Sequence, residues 1–249
     1  MKRIKKLIFL TFLVMTVVPA FSQDATFHFF PRYAAYLRNT DMQLKGSFYY
    51  KANTDRKIVA LTFDDGPSAH TERLTALLKR KECPAAFFLV GQMMTGNRNR
   101  LQFYNDSLFE VGAHSYFHFN SNGAANANTI KNDFQRSMNA FSSLMPDHTV
   151  KYYRPPYGIV HRNVIDQMEA HNLQGVLWSF DTMDYLRPRP TRQKAINDIN
   201  SHLSNGDIIL AHEGINLNLL EEMIDTIRNN GFTIVKLSEL MEYPNIIPF

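Results

Sequence analysis

The 249-residue sequence predicts an α/β fold, a (β/α) barrel of about seven parallel strands. Three observations point there. Short apolar runs alternate with amphipathic segments along the chain, as repeated βα units require. The first strong run, Ile58-Val59-Ala60-Leu61-Thr62-Phe63, is apolar toward both faces, as in a sheet covered by helices. The unusual polar residues follow strands rather than helices, which in a barrel gathers them on one rim.

The N-terminus reads Met1-Lys2-Arg3-Ile4-Lys5-Lys6, then an apolar run over 7–18, then Pro19-Ala20-Phe21-Ser22. This is the basic, apolar and small-residue order of a secretory signal. Residues 1–22 are therefore read as a signal peptide cut after Ser22, sending the mature chain to the periplasm or the exterior. The apolar run is short for a membrane span, so no stable insertion is expected after cleavage; uncleaved, it would leave the chain anchored. The formal charge of +4 comes from 27 basic and 23 acidic residues. Lys2, Arg3, Lys5 and Lys6 precede Ser22 with no acidic residue among them, so the mature chain is balanced. That balance gives no footprint for a nucleic-acid partner.

Residues 23–56 carry Phe27, Phe29, Phe30, Tyr33, Tyr36, Phe48, Tyr49 and Tyr50, too many aromatics for a flexible linker, and are read as a lead-in packing on the domain. Residues 57–249 form that domain. Its first strand, 58–63, stops at Asp64-Asp65-Gly66-Pro67, where Gly and Pro make a turn. A helix starts near Thr71, with Leu74, Leu77 and Leu78 at helical spacing. There follow a strand at 85–90, a helix at 101–109, a strand at 110–113 and a helix at 129–144 with Phe134, Met138 and Phe141 on one stripe. A strand at 150–153, a helix at 160–171, a strand at 174–180 and a helix at 192–203 continue the alternation. Asn205-Gly206 opens a strand at 207–211, Asn230-Gly231 stops a helix at 217–229, and 232–235 is the last strand. Cys83, the single cysteine, has no internal disulfide partner and reads as a packing residue.

Adjacent residues leaving a strand point to opposite sides, so Asp64 and Asp65 are expected to take different jobs, although an Asp-Gly turn uses the same residues. His114 and His118, four apart, make with one carboxylate a ligand set that leaves positions open for water and substrate, as catalytic zinc needs. By itself the pair suits equally a surface and a packed histidine. His28, His70, His148, His161, His171 and His202 are read as surface or structural, His70 being nearest the Asp pair. Arg154-Pro155-Pro156-Tyr157-Gly158 is a rigid turn; its Tyr157 amide can serve an oxyanion and Arg154 can pair with a carboxylate, while plain loop stiffening would use the same prolines. Asp181 and Asp184 follow the fifth strand, His212 and Glu213 the sixth. Loops 119–128 and 186–190 fall on the rim, the second carrying Arg187 and Arg189, either solvated or facing an anionic glycan.

Together, Thr62-Phe63-Asp64-Asp65-Gly66-Pro67, His114-Ser115-x-x-His118, Arg154-Pro155-Pro156-Tyr157-Gly158, Asp181-x-x-Asp184 and Leu210-x-His212 resemble the five ordered motifs of the polysaccharide deacetylase family, the NodB-homology or carbohydrate esterase family 4 domain. The resemblance spans roughly residues 57–240. It implies a distorted (β/α) barrel with 57–249 as its catalytic domain. It further implies a hydrolase that removes N-acetyl groups from a glycan containing N-acetylglucosamine: peptidoglycan, chitin fragments or an exopolysaccharide. An O-acetyl esterase on a polysaccharide such as xylan and a non-catalytic sugar-binding module are the alternatives. By the same resemblance Asp64 is the general base, and Asp65, His114 and His118 hold a divalent metal, zinc by default. Arg154 braces the base, the Tyr157 amide serves the oxyanion, Asp184 tunes the acid and His212 is that acid, while Tyr157, Tyr185 and Leu210 meet the substrate. The family's usual Asp-Trp is here Asp184-Tyr185, which implies an altered fit, and the only tryptophan, Trp178, reads as core. The expected partner is an acetylated glycan, bound by a monomer.

Overall fold

The computed structural model describes residues 48–119, 126–160 and 162–243; the expected signal peptide and positions 23–47 of the lead-in lie outside the described residues. Strand β2 (Ile58–Gly66) organises the sheet. It is buried along almost its whole length, and it pairs in parallel with β3 (Ala85–Leu89), β8 (Ile208–His212) and, at its start, β9 (Thr233–Val235). From edge to edge the order runs β1 (Phe48–Tyr49), β6 (Gln174–Val176), β5 (Tyr152–Tyr153), β4 (Phe109–Ala113), β3, β2, β8, β7 (Phe180–Asp181), every pair parallel. This is the distorted (β/α) barrel that the alternation predicts. Strand β1 falls inside the aromatic lead-in, whose Phe48 and Tyr50 are buried in the core.

Alternation along β2 divides its side chains. Phe63 faces outward, stacks on Phe87 at 5.5 Å, and leads through Tyr104 and Phe109 into the layer under the helices. Helix α1 (Thr71–Arg80) buries Leu74, Leu77 and Leu78 there, on the predicted stripe. The remaining helices are α2 (Gly91–Gly96), α3 (Ala127–Leu144), α4 (Arg162–Ala170), α5 (Arg192–His202), α6 (Leu217–Asn229) and α7 (Leu237–Leu240). Among the described residues none is long and apolar enough to cross a membrane.

Two expectations need correction. The helix placed at 101–109 is instead a 3₁₀ helix, Arg98–Tyr104, whose buried Leu101 and Tyr104 stand three apart, the repeat of that tighter helix. The strand placed at 174–180 breaks in two. Leu177 N–H bonds the Tyr49 carbonyl on one edge of the sheet, while Ser179 N–H already bonds Ile208 on the other, so the chain crosses the barrel seam in between. Its apolar residues stay buried on both sides of the break, which is why the sequence pattern runs through it.

The opposite end of the seam is stitched by backbone. Ala52 N–H donates to Gly206 O (2.9 Å) and Gly206 N–H to Ile58 O (2.8 Å). Buried Asp207 accepts from Lys51 Nζ (2.9 Å), Ser179 Oγ (2.7 Å) and the Ser204 amide (2.7 Å). Gly206 has φ +79°, and a Cβ there would stand 2.1 Å from Ala52 O. Gly206→Ala should therefore destabilise the fold by about 2–3 kcal/mol, strain and clash together, measured by urea unfolding. A loss near zero would show that the stitch contributes nothing.

Candidate active site

Of the seven described non-glycine residues with left-handed φ, five lie on the rim at the C-terminal ends of the strands, while Glu82 and Asn172 follow helices. Asp65 (φ 69°), Ser115 (66°), His118 (52°), Tyr157 (58°) and Met183 (54°) all adopt left-handed φ values. Such conformations cost of order 1–3 kcal/mol each and collect where side chains must be aimed. At Asp65 the β2–β3 register shifts between Asp64 and Gly66. This corrects the expectation that the two aspartates diverge: the irregularity turns both toward one imidazole, with Asp64 Oδ2 and Asp65 Oδ1 each 3.6 Å from His114 Nε2.

Asp64 points into the barrel, 3 % exposed. Its Oδ1 accepts from Arg154 Nη1 at 2.7 Å. Arg154 is 0 % exposed, and its remaining bonds go to Thr62 Oγ1 (2.9 Å) and the carbonyls of Val176 (3.1 Å) and Leu177 (3.0 Å). The guanidinium also lies 4.1 Å from the Phe88 ring centroid and 5.5 Å from that of Trp178. Burial alone would raise the Asp64 pKa, but Arg154, with His114 and His212, holds it below its ordinary value.

Asp65 Oδ1 lies 3.2 Å from His118 Nε2, and the ligand atoms of Asp65, His114 and His118 all stand within 4.8 Å of one another. His114 Nδ1 is 2.7 Å from the Arg154 carbonyl. A carbonyl only accepts, so Nδ1 carries the proton and Nε2 turns its lone pair toward Asp65, the second-sphere arrangement of a metal-ligating histidine. Burial lowers the His114 pKa against the pull of Asp64, favouring the neutral ring a metal needs. The Asp65 Oδ1 atom is buried without a hydrogen-bond partner, an orphan that a cation would satisfy. Donor set, tautomer and orphaned oxygen all fit a divalent cation.

His212 lies directly across the β2–β8 ladder from Asp64. Its Nδ1–H donates to Asp184 Oδ1 (2.8 Å), its backbone N–H to Asp184 Oδ2 (3.1 Å), and Thr182 Oγ1 adds a third bond to the same carboxylate (3.1 Å). Burial opposes protonation of His212, yet the bond to Asp184 and the charges of Asp64, Asp184 and Asp65 push its pKa up to about 9. Tyr185 packs edge-on against His212 at 5.3 Å and donates to Asp181 Oδ2 at 3.1 Å. Tyr157 faces His118 at 4.8 Å. Both rings are about half exposed, one beside His118 and the other beside His212. Leu210 is 2 % exposed, an apolar floor below His212 with little surface to offer. Arg187 and Arg189 bind backbone carbonyls of their own surroundings, Leu186 (2.8 Å) and Gly214 (3.0 Å), and brace the loop. His70 sits exposed at the start of α1, away from the cluster.

Two carboxylates stand behind the site: Asp133, which sequence reasoning missed, and Glu213, which it placed on the rim beside His212 without a role. Asp133 accepts from the amides of Tyr116 (2.9 Å) and Phe117 (3.0 Å), fixing the turn between the two histidines. Glu213 grips the turn after Asp65 through Ser68 and Thr71. The available signal was a charge on a buried stripe: Asp133 lies among Ile130, Phe134 and Ser137 on the core face of α3.

Arg154→Met would strand the Asp64 charge in the barrel and should cost roughly 3–5 kcal/mol in urea unfolding. Adding Asp64→Asn should recover part of it; no recovery would assign the loss to the orphaned carbonyls instead. An NMR titration of the metal-free protein should place the His212 midpoint near 9. Because the folded value is raised, the stabilisation from its imidazolium is full below about pH 6.5 and fades as pH climbs through 9. Asp184→Asn should bring the midpoint down by at least about one unit; an unmoved midpoint would remove Asp184 as the cause.

Comparison with known proteins agrees with this geometry. The bifunctional xylanase/deacetylase of Pseudobutyrivibrio xylanivorans is 29% identical over 78% of this chain, which spans 32% of that relative's length. A peptidoglycan-N-acetylglucosamine deacetylase of Bacillus cereus is 25% identical over 83% of this chain and 99% of its own. Among solved structures, a mutant of BA3943, described as a CE4 family pseudoenzyme with restored enzymatic activity, superposes with TM-score 0.72 at 25% identity, covering 80% of this chain and 72% of that one. The family profile named Polysaccharide deacetylase matches residues 51–176, which include Asp64, Asp65, His114, His118, Arg154 and Tyr157 and stop short of Asp184 and His212. With more than half of its length under that profile, the chain belongs to the polysaccharide deacetylase family.

Proposed function

We propose that this chain is a cation-dependent hydrolase that removes N-acetyl groups from a glycan containing N-acetylglucosamine, outside the cytoplasm. One observation carries the reading. A carboxylate held ionised, Asp64, and an imidazole held protonated, His212, face each other across one strand pair, beside a three-atom cation cradle. Separated pKa values in neighbouring groups mark a base and an acid. The signal-like N-terminus supports the location, and the similarity to the Bacillus cereus peptidoglycan-N-acetylglucosamine deacetylase supports the substrate class.

Asp65, His114 and His118 would hold a divalent cation, zinc by default, which would supply an acidic water and an electrophile for the acetyl carbonyl. Asp64 Oδ2 accepts the proton of the attacking water, while Arg154 keeps the other oxygen occupied. The Tyr157 amide, on its left-handed turn, is assigned to the developing oxyanion; each such donor is worth roughly 3 kcal/mol. His212 delivers a proton from Nε2 to the departing nitrogen, its Nδ1 staying bonded to Asp184. Tyr157 and Tyr185 offer aromatic faces for a sugar between them.

The same groups can cleave an O-acetyl ester, and the relative named for xylanase and deacetylase activity favours keeping that second reading. The description of BA3943 as a pseudoenzyme whose activity was restored in a mutant puts the chemistry in particular residues rather than in the architecture alone. Acetate release should occur from N-acetylglucosamine oligomers and stop with chelator. His212→Ala should cut amide turnover by about 10²–10⁴-fold and ester turnover far less, since an alkoxide leaves without full protonation. Binding of the oligomers with no acetate from any glycan would instead identify a sugar-binding module.

A further inference from the structure

Glu213 follows His212, is 1 % exposed, and has no task in the scheme above. Its Oε2 accepts from the Ser68 amide (2.9 Å), the Ser68 hydroxyl (2.7 Å) and the Thr71 hydroxyl (2.7 Å), and its Oε1 from the Tyr104 hydroxyl (2.5 Å). Its own N–H donates to the Asp64 carbonyl at 3.2 Å. The carboxylate passes directly against the backbone one residue beyond Asp65: a Cβ on Gly66 would stand 2.3 Å from Oε1. Thus the residue after His212 grips, by main chain and side chain, both ends of the turn that presents Asp64 and Asp65.

We propose that Glu213 is a positioning residue that fixes His212 against Asp64 and Asp65, setting the span across which water attacks and nitrogen departs. This role rests on the deacetylase reading above. Thr71 and Tyr104 donate from buried positions and Ser68 twice from a half-buried one, so the turn at 66–71 cannot drift without leaving the buried carboxylate short of donors. Burial, with the adjacent Glu213 charge, raises the Tyr104 phenol well above its ordinary value and keeps it a donor. Asp207, at the other end of the same strand, offers the comparison. It is equally buried and accepts from Lys51, Ser179 and Ser204, far along β8 from His212.

The test compares Glu213→Gln with Asp207→Asn. Gln keeps the volume while turning one acceptor into a donor. Both variants should lower the thermal midpoint. Only Glu213→Gln should speed hydrogen exchange of the amides at 65–71, by about tenfold, and weaken zinc binding to the metal-free protein by a similar factor. Its kcat should fall about 10- to 100-fold with KM within about twofold. Tyr104→Phe, which removes one bond of the four, should show a smaller loss of the same kind and serves if Glu213→Gln does not fold. Wild-type loop exchange in these variants overturns the proposal, as does a loosened loop with unchanged kcat, or a kcat loss in Asp207→Asn matching that of Glu213→Gln. If the wild type releases no acetate, the deacetylase reading fails alone, and exchange with zinc titration still decides whether Glu213 holds the turn.

Discussion

The pairing of Arg154 with Asp64 inside the barrel is the constraint on which the rest hangs. An isolated buried carboxylate would give up its charge, and an isolated buried guanidinium cannot, so neither tolerates that position alone. What makes the pair tenable is the seam. Where the chain crosses from β6 to β7 the carbonyls of Val176 and Leu177 turn to Arg154, and Phe88 and Trp178 lie under its plane. The break in the sheet and the buried cation satisfy each other's polar groups. The Arg154 carbonyl in turn orients His114, so one residue aims both the carboxylate assigned as base and an imidazole of the cation cradle.

The cradle and the acid are built by different means. The cradle stands on strained turns: Asp65, Ser115 and His118 are left-handed, and Asp133 ties down the amides between the histidines. His212 stands at the end of an unstrained strand, in register with Asp64, and gets its character from Asp184. Strain suits ligands that must converge on a point from three directions, while a ladder suits a group whose distance from one neighbour matters. The strand spacing of about 4.8 Å sets His212 beside Asp64 without special geometry.

Much of this was legible in the sequence because each motif sits where an apolar run ends. The doubly buried run at 58–63 gave the central strand, and the helix at 217–229, bounded by Asn216 and Asn230, matches α6. The seam was not legible: hydrophobic pattern reports that residues 174–180 are buried and says nothing of which neighbour each one bonds. The irregularity at Asp65 was hidden for a related reason, since alternation assumes a regular pleat and the departure occurs at the functional residue itself. Asp133 was passed over, and Glu213 was placed on the rim without a role, because a carboxylate in sequence looks like solvent-facing charge until its donors, drawn from other segments of the chain, are known.

The electrostatics also explain why the two halves need each other. Arg154, His114 and His212 all lower the pKa of Asp64, so it stays charged but is a weak base. Against ordinary water, which holds its proton far more tightly than a carboxylic acid does, such a carboxylate has almost no driving force to take one. As a base it would become competent only with the water beside it made far more acidic, toward about 7, which a cation held by Asp65, His114 and His118 would provide. On the proposed reading, the brace that keeps Asp64 an anion is thus also what would make it depend on the neighbouring ligand set. The same anion helps keep His212 protonated, so loss of the Asp64 charge would weaken base and acid together.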